Sequence, residues 1–214
     1  MSAHSSHVQR MTTGSASERG AGLDGLKNTL GDMSEEQLLE VVREPGLLAA
    51  LNVFFSGDKS LTALKVLFAL MRPSSDPFSP TTKQCRAAIF DSPCFPSLKD
   101  IAASSSGTLE LKRKAWRAIR GASRLEVGRR REVIDSPGMV ALLQVGLESA
   151  DHSIAVQTMD TIYNLCRDET TAAAVFDGHP DLVQSLVDTF CNSGVNDQFK
   201  CKSQLHSFFP HIKF

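Results

Sequence analysis

Residues 132–147, EVIDSPGMVALLQVGL, join a short apolar segment to a long apolar run through an Asp-Ser-Pro-Gly break. The same order of features occurs three more times. The other stretches are VVREPGLLAALNVFF from Val41, AIFDSPCFPSLKDIA from Ala88 and AVFDGHPDLVQSLVDTF from Ala174. Proline is favoured at the first position of a helix, where its missing N–H would be unpaired in any case. Each stretch therefore predicts a corner followed by a new helix.

These corners recur at a regular spacing. Their prolines, which lie 43 to 48 residues apart, are Pro45, Pro93, Pro137 and Pro180. Ser92 and Ser136 precede two of the prolines and are predicted N-caps. The runs that follow place apolar residues three, four and seven positions apart, as in an amphipathic helix. No run alternates with the period of two that marks a strand, so the sequence predicts an all-α fold.

A second helix and a short closing helix are predicted after each corner helix, separated by breaks rich in Ser, Gly and Asp. The predicted second helices are LTALKVLFALMR (61–72), LELKRKAWRAIRGAS (109–123), IAVQTMDTIYNLCR (154–167) and FKCKSQLHSFF (199–209). The predicted closing helices are TKQCRAAIF (82–90), VGRRREVI (127–134) and TTAAAVF (170–176). One such unit cannot bury its apolar faces alone, so the units are expected to stack.

The segment IDSPGMVALLQVGL followed by AVQTMDTIYNLC resembles an armadillo repeat, whose signature is a Gly-opened apolar helix and then a helix with the pattern A-x-x-A-L-x-N-L. The HEAT repeat is the structural alternative. The resemblance implies a right-handed superhelical α-solenoid of about four armadillo-like units. Their approximate bounds are 41–88, 89–132, 133–175 and 176–214, within a repeat domain of residues 33–214. The motif DMSEEQLLEVV, with a capping box of Ser34 and Gln37, is expected to cover the first unit.

Residues 1–32 are expected to form a disordered N-terminal tail. The first 20 residues are rich in Ser and Thr and lack the apolar core of a secretory signal. A mitochondrial presequence is a minor alternative for them. The motif GAGLDG (20–25) matches a dinucleotide-binding pattern but follows no predicted strand, so a flexible linker is favoured.

Composition indicates a soluble globular protein, with 42% apolar and 22% charged residues. No apolar run approaches the roughly 18 residues of a membrane span. The five cysteines form no CxxC pair, so free thiols are expected in a reducing compartment, the cytoplasm or the nucleus. The net charge is -1, but the charges are unevenly placed. Residues 112–131 hold nine cations against one acid, whereas residues 148–188 hold eight acids against one cation.

The sequence nominates no catalytic centre, so we expect neither enzyme activity nor a cofactor. It lacks GxSxG, Walker A and HExxH motifs, and no nucleophile, base and orienting group can be named together. The residues with potential for zinc are Cys191, Cys201, His206 and His211. Their spacing matches no common zinc framework, so no metal site is expected.

The armadillo resemblance implies that the second helices line a concave groove. Aligned on its apolar stripe, this groove face is predicted to contain Lys65, Phe68, Arg72, Arg113, Arg117, Arg120, Arg124, Asp160, Tyr163, Asn164, Arg167, Ser203 and His206. The four arginines of residues 113–124 step by four, three and four, which places them on one side of a helix. Arginine suits bidentate binding of carboxylate or phosphate. A solvated helix face is the alternative, and Trp116 is expected in the core.

Asn164 resembles the family asparagine that holds an extended peptide in the groove. However, Asp160 stands where nuclear-import adaptors carry a tryptophan, so a basic import signal is not the expected ligand. We expect a non-enzymatic scaffold or adaptor that binds an acidic or phosphorylated peptide or helix in an Arg-lined groove. The alternatives are an Hsp70 co-chaperone acting as a nucleotide-exchange factor and, less favoured, a nucleic-acid-binding protein. The expected partner is a protein or peptide, with no membrane and no small-molecule substrate.

Overall fold

The computed structural model describes residues 3–72, 76 and 79–192. Within these ranges the chain forms helices and short loops, and no strand is present. The predicted all-α class is therefore confirmed. The chain divides into two compact units, Met1–Ala122 (unit 1) and Ser123–Phe214 (unit 2).

Unit 1 is built from helices that pack in neighbouring pairs. They are α1 (Ala3–Thr13), α2 (Ala16–Thr29), α3 (Glu35–Arg43), α4 (Leu47–Val53), α5 (Ser60–Leu70), α6 (Pro80–Phe90), α7 (Cys94–Ala103) and α8 (Leu109–Ala122). Short 3-10 helices, Leu30–Asp32 and Phe54–Ser56, follow α2 and α4. Helix α1 packs on α2 and α4, and α2 also contacts α5. Helices α5, α6 and α7 all contact α8, which makes α8 a common support for this unit.

Unit 2 repeats the same kinds of helix. Its described helices are α9 (Val127–Asp135), α10 (Met139–Leu147), α11 (His152–Leu165), α12 (Glu169–Gly178) and α13 (Pro180–Asn192). Helix α10 contacts α9, α11 and α13, and α12 contacts α9 and α13. The very apolar α10 is thus covered on several sides, with Leu143 and Met139 fully buried.

The helices lie where the repeat pattern predicts them. Helices α5, α8 and α11 are the predicted second helices, and α6, α9 and α12 are the predicted closing helices. Each observed bound differs from the predicted one by at most two residues. The fourth predicted second helix, residues 199–209, lies outside the described residues and carries Ser203 and His206 with it.

Two corners share a backbone geometry that proline alone does not explain. Gly46 and Gly138 have φ angles of 81° and 77°, a left-handed conformation that is costly for a residue with a Cβ. They stand immediately before α4 and α10, so the preceding prolines lie in the corner and not at the first helical position. The predicted N-cap Ser136 does not cap α10, because Gly138 occupies the N-cap position. The hydroxyl of Ser136 donates instead to the carbonyl of Val133 at 2.8 Å.

The other two corners start their helices differently. Pro180 is the first residue of α13, as predicted. Pro93 occupies the N-cap position of α7, and the hydroxyl of Ser92 accepts a hydrogen bond from the N–H of Cys94 at 3.2 Å. Ser92 therefore satisfies a donor at the start of the helix, although it is not itself the N-cap.

The expectation of a disordered tail over residues 1–32 is wrong, because this segment forms α1, α2 and a 3-10 helix. Its buried apolar residues are Val8, Met11, Leu23, Leu26 and Leu30. Ser15 opens α2 with a capping box, in which the Glu18 carboxylate accepts the N–H of Ser15 at 2.8 Å. Burial of these few apolar side chains within unit 1 stabilises helices whose composition is otherwise polar.

The glycines of α2 serve close helix packing, so the expected flexible linker over GAGLDG is also wrong. A Cβ on Gly22 would lie 2.8 Å from the carbonyl oxygen of His7, and a Cβ on Gly25 would overlap the His7 imidazole. The absence of side chains at these positions lets α1 approach α2. Composition does not distinguish this use of glycine from a flexible linker.

We expect Gly22→Ala to destabilise the protein by roughly 1–3 kcal/mol, because the new methyl group would overlap the backbone of α1. Helix propensity alone would make the same change stabilising by about 1 kcal/mol, so the sign of the effect is diagnostic. Chemical denaturation followed by circular dichroism measures it.

Gly20→Ala is the matched control on the same helix, since only Cε of Lys59 lies near the added Cβ, at 3.9 Å. It should be neutral or stabilising by up to about 1 kcal/mol. Equal stabilisation by both alanines would contradict the packing of α1 on α2.

A largely buried ion pair ties α9 to the N-terminus of α12 in unit 2. Nη1 of Arg130 lies 3.4 Å from Oδ2 of Asp168, and Nε of Arg130 donates to the carbonyl of Leu125 at 3.1 Å. Asp168 is also the N-cap of α12 and accepts the N–H of Thr171 at 2.9 Å. Burial raises the pKa of Asp168, but hydrogen bonds from Thr171 and Thr170 and the charge of Arg130 outweigh burial and hold this pKa below its ordinary value.

Asp168→Asn should lower the free energy of unfolding by roughly 1–3 kcal/mol at neutral pH, because asparagine keeps the cap but leaves Arg130 without a counter-charge. The folded-state pKa of Asp168 is depressed, so its contribution is present above the ordinary aspartate pKa of about 3.9 and is lost as the pH falls below that value. Urea unfolding at about pH 7 and about pH 3 should show a difference that shrinks in acid.

The control for this experiment is Asp177→Asn, because Asp177 is an exposed residue of the same helix. Its effect should stay below about 0.5 kcal/mol at both pH values. An Asp168→Asn effect that is as large in acid as at neutral pH would contradict the role of the carboxylate charge.

Candidate functional site

Ten of the thirteen residues predicted for the groove face were expected to bind a partner, and they are divided between the two units. Lys65 and Phe68 lie on α5, and Arg113, Arg117 and Arg120 lie on α8, all in unit 1. In unit 2, Arg124 precedes α9, whereas Asp160, Tyr163 and Asn164 lie on α11 and Arg167 follows it. The residues of each unit are therefore described separately.

Helix α8 separates its arginines from its apolar side chains, as the sequence predicts. The buried side consists of Ala115, Trp116, Ala118, Ile119 and Ala122. On the other side Arg113 is exposed, and Arg117 and Arg120 are half-buried. Trp116 is only 1% exposed, so the prediction that it belongs to the core is confirmed. An amphipathic helix packed by one face must present its other face outward.

Helix α5 brings one further cationic row to the same unit. Lys65, Phe68 and Arg72 stand three and four residues apart and so share one side of the helix end. Lys65 and Arg72 are exposed and Phe68 is half-buried, while the opposite side is fully buried. Because α5 contacts α8, the two rows lie on neighbouring helices.

Phe68 is the point where these rows meet. The Cζ atom of Arg117 lies over the Phe68 ring, 4.3 Å from its centroid, and Cζ of Arg72 lies 5.6 Å from the same centroid. Both distances are within the range of a cation–π interaction. One half-buried ring thus holds two guanidinium groups that come from different helices. We refer to Phe68, Arg72 and Arg117 as the Phe68 cluster.

Positive charge is concentrated at the Phe68 cluster. Burial of its guanidinium lowers the pKa of Arg117, and the like charges of Arg120 and Arg72 lower it further. An arginine remains charged at any ordinary pH, so the three charges coexist and repel one another. Within the described parts of the chain, no carboxylate lies within ion-pair distance of Arg72 or Arg117. The cluster is therefore suited to an external anion.

The end of α5 that carries Arg72 is held in place by α6 and α8. Arg86 of α6 is buried, and its Nε donates to the carbonyl of Met71 at 3.3 Å, just before Arg72. A Cβ on Gly121 of α8 would lie 3.3 Å from Sδ of Met71, which shows how closely α8 passes this end. The backbone at Arg72 is thus positioned by buried contacts, which lowers the entropy cost of using this side chain for binding.

The unit 2 residues differ from the prediction at one important position. Asn164 is only 6% exposed, and its Nδ2 lies 3.5 Å from the hydroxyl of Ser123. It shares the buried side of α11 with Thr161 and Leu165. Asn164 therefore does not line an open groove as expected. Tyr163 and Arg167 are exposed and Asp160 is half-buried.

Two clefts share no residue with the Phe68 cluster and were not predicted. One in unit 1, of about 620 Å³, includes Asn52, whose Oδ1 is buried and has no hydrogen-bond partner among the described residues. Its hydroxyl groups come from Ser56, Ser60, Ser97, Ser104 and Ser106. The other, in unit 2, has about 480 Å³ and includes Glu148 and Asp188. Their residues come from separate helices and loops with no common motif, so the sequence holds no signal for them.

The described thiols do not suit nucleophilic or metal chemistry. Cys85, Cys94 and Cys166 are buried, and burial raises their pKa to about 11, about 11 and about 12. A buried protonated thiol is a weak nucleophile and a weak ligand. In the described part of the chain, no group of three or more His, Cys, Asp and Glu residues is arranged to hold a metal ion.

The structure does not describe the side chains of the four residues considered as zinc ligands. His206, His211 and Cys201 lie outside the described residues, as does the side chain of Cys191. For residues 3–72, 76 and 79–192, no helix has the length and apolar character needed to cross a membrane.

The fold has a counterpart among solved structures. A crystal structure described as that of an engineered protein is similar, with a TM-score of 0.71 and 15% sequence identity. The similarity covers 98% of this chain and 80% of the engineered chain. No protein-family model matches this chain, and no curated protein matches it. At this identity the similarity concerns the fold alone.

Proposed function

We propose that this protein is a non-enzymatic scaffold or adaptor whose unit 1 binds an acidic peptide or helix of a partner protein at the Phe68 cluster. The observation that carries the proposal is the placement of two arginines over one half-buried ring, 4.3 and 5.6 Å from its centroid. Neither arginine is engaged by a carboxylate of the described chain.

Three contributions would favour the binding of an acidic ligand. Its carboxylates would accept charge-assisted hydrogen bonds, each with a net value of roughly 1.5–3 kcal/mol. They would also reduce the mutual repulsion of Arg72, Arg117 and Arg120. Finally, Phe68 already restricts the side chain of Arg117, so less side-chain entropy is lost on binding.

The finer fold assignment belongs to the same proposal. We infer that the chain is a right-handed α-solenoid of armadillo type. The regular order of corner, second and closing helices supports this inference, as does the positive φ shared by Gly46 and Gly138. In such proteins the second helices provide the binding face, and α5 and α8 are second helices. We place the protein in the cytoplasm or nucleus, where its described thiols would remain reduced.

The proposal is tested by the double variant Arg72→Gln, Arg117→Gln and a fluorescent glutamate-rich peptide. We expect fluorescence anisotropy to show at least about tenfold weaker binding, since two charge-assisted contacts are removed. The melting temperature should change little. Arg72 is exposed, and glutamine at position 117 keeps part of the aliphatic stem that arginine packs against unit 1.

The matched control is Arg10→Gln, Lys27→Gln, which makes the same change in net charge on exposed residues of α1 and α2 in the same unit. It should weaken binding by less than about twofold, through long-range electrostatics that salt screens. Equal losses in both double variants would indicate a diffuse attraction. Failure of the unaltered protein to bind the peptide would overturn the proposal.

A further inference from the structure

The two arginines of the Phe68 cluster approach one place from different directions. Arg117 comes from the middle of α8, whereas Arg72 follows the C-terminal end of α5. A guanidinium that lies over a ring keeps its N–H donors, because they point outward in the guanidinium plane. The cluster therefore offers donors from two separate helices to a ligand placed beside Phe68.

We propose that the Phe68 cluster recognises the phosphate group of a phosphorylated serine or threonine in the partner, in preference to a carboxylate. This inference rests on the proposed function and specifies the ligand of the same site. Arg72 and Arg117 each bind phosphate oxygens, and Phe68 is a positioning residue that acts through its contacts with both guanidinium groups.

The first argument is geometric. A carboxylate presents two oxygens in one plane, and a single bidentate arginine contacts both of them. A phosphate monoester presents three acceptor oxygens in a tetrahedral arrangement. Oxygens that point in three directions match arginines that approach from two elements better than the two coplanar oxygens of a carboxylate do.

The second argument is electrostatic. Arg72 and Arg120 both act as like charges on Arg117, whose guanidinium is partly desolvated. The Coulomb attraction between the ligand and these cations, which offsets their repulsion, is proportional to the charge of the ligand. A phosphoserine carries a charge of about −1.5 to −2 near neutral pH, against −1 for glutamate. The site therefore discriminates by charge as well as by shape.

The position of Arg72 adds a further contribution to the cluster. The C-terminal carbonyls of a helix favour a nearby cation, and buried Arg86 already donates to the carbonyl of Met71. The side chain of Arg72 extends toward the Phe68 ring, and its Cζ lies 5.6 Å from the ring centroid. Its guanidinium is held near Arg117 by the ring, despite the repulsion between them.

The test uses the full chain and three fluorescent peptides with identical glutamate-rich flanks and a central serine, glutamate or phosphoserine. We expect the phosphoserine peptide to bind about tenfold more tightly than the glutamate peptide, since it adds charge and a second arginine contact. Arg72→Gln, Arg117→Gln should abolish this preference, and the Arg10→Gln, Lys27→Gln control should retain it.

Phe68→Leu separates the positioning role from packing, because leucine keeps an apolar side chain but has no ring face. It should reduce the preference for phosphoserine over glutamate by at least about threefold with an unchanged melting temperature. If this variant does not fold, the single change Arg72→Gln at an exposed position tests the phosphate preference instead, and an unchanged preference would overturn the inference.

The possible results separate this inference from the proposed function. Equal binding of the glutamate and phosphoserine peptides, lost in the Arg72/Arg117 double variant, would overturn the phosphate preference and leave the acidic-peptide site standing. Binding of neither peptide would overturn both. Tighter binding of a single-stranded RNA, dependent on Arg72 and Arg117 and without a preference for phosphoserine, would show a phosphodiester site and would also overturn the inference.

Discussion

The packing of α8 against α5 is the constraint on which the candidate site depends. Each helix buries one continuous apolar face, which leaves one rotation about its axis and therefore one outward face. Gly121 permits the close passage of α8 beside Met71, where a side chain would lie 3.3 Å from the sulfur. Arg117 reaches Phe68 because apolar packing fixes both backbones, and no polar contact is needed to direct it. A perturbation of this core would therefore alter the candidate site without touching an arginine.

The spacing of apolar residues along the chain predicted the positions of the helices well, because this spacing is a local property of the sequence. A corner, an apolar run at helical spacing and a polar break specify helices such as α8 and α11 within two residues of their bounds. The same period separated the arginines of α8 from Trp116. It could not predict the contact between Phe68 and Arg117, since that contact depends on which helices pack together. The cationic side was predictable from sequence, and the cluster that organises it was not.

Two predictions failed where one residue type serves opposite purposes. Gly22 was interpreted as part of a linker, but its missing side chain allows close packing beside His7. Asn164 was placed on a binding surface by resemblance, but it is buried near Ser123, which precedes it by 41 residues. A buried amide needs a polar neighbour, and a neighbour distant in sequence gives no local signal. Both errors concern tertiary proximity, which neither composition nor a family motif supplies.

Arg130 of unit 2 and Arg117 of unit 1 differ in how their charges are surrounded. Arg130 is largely buried and is engaged by the Asp168 carboxylate and the Leu125 carbonyl, so its charge is satisfied inside unit 2. Arg117 is partly buried against an aromatic ring, with like charges nearby. A neutral residue at that position would avoid the desolvation and repulsion of a charge. Such locally unfavourable arrangements are concentrated at functional sites, where a ligand relieves them. The ring holds the guanidinium in position and leaves its hydrogen-bond donors available, as the binding role that we propose for Arg117 requires.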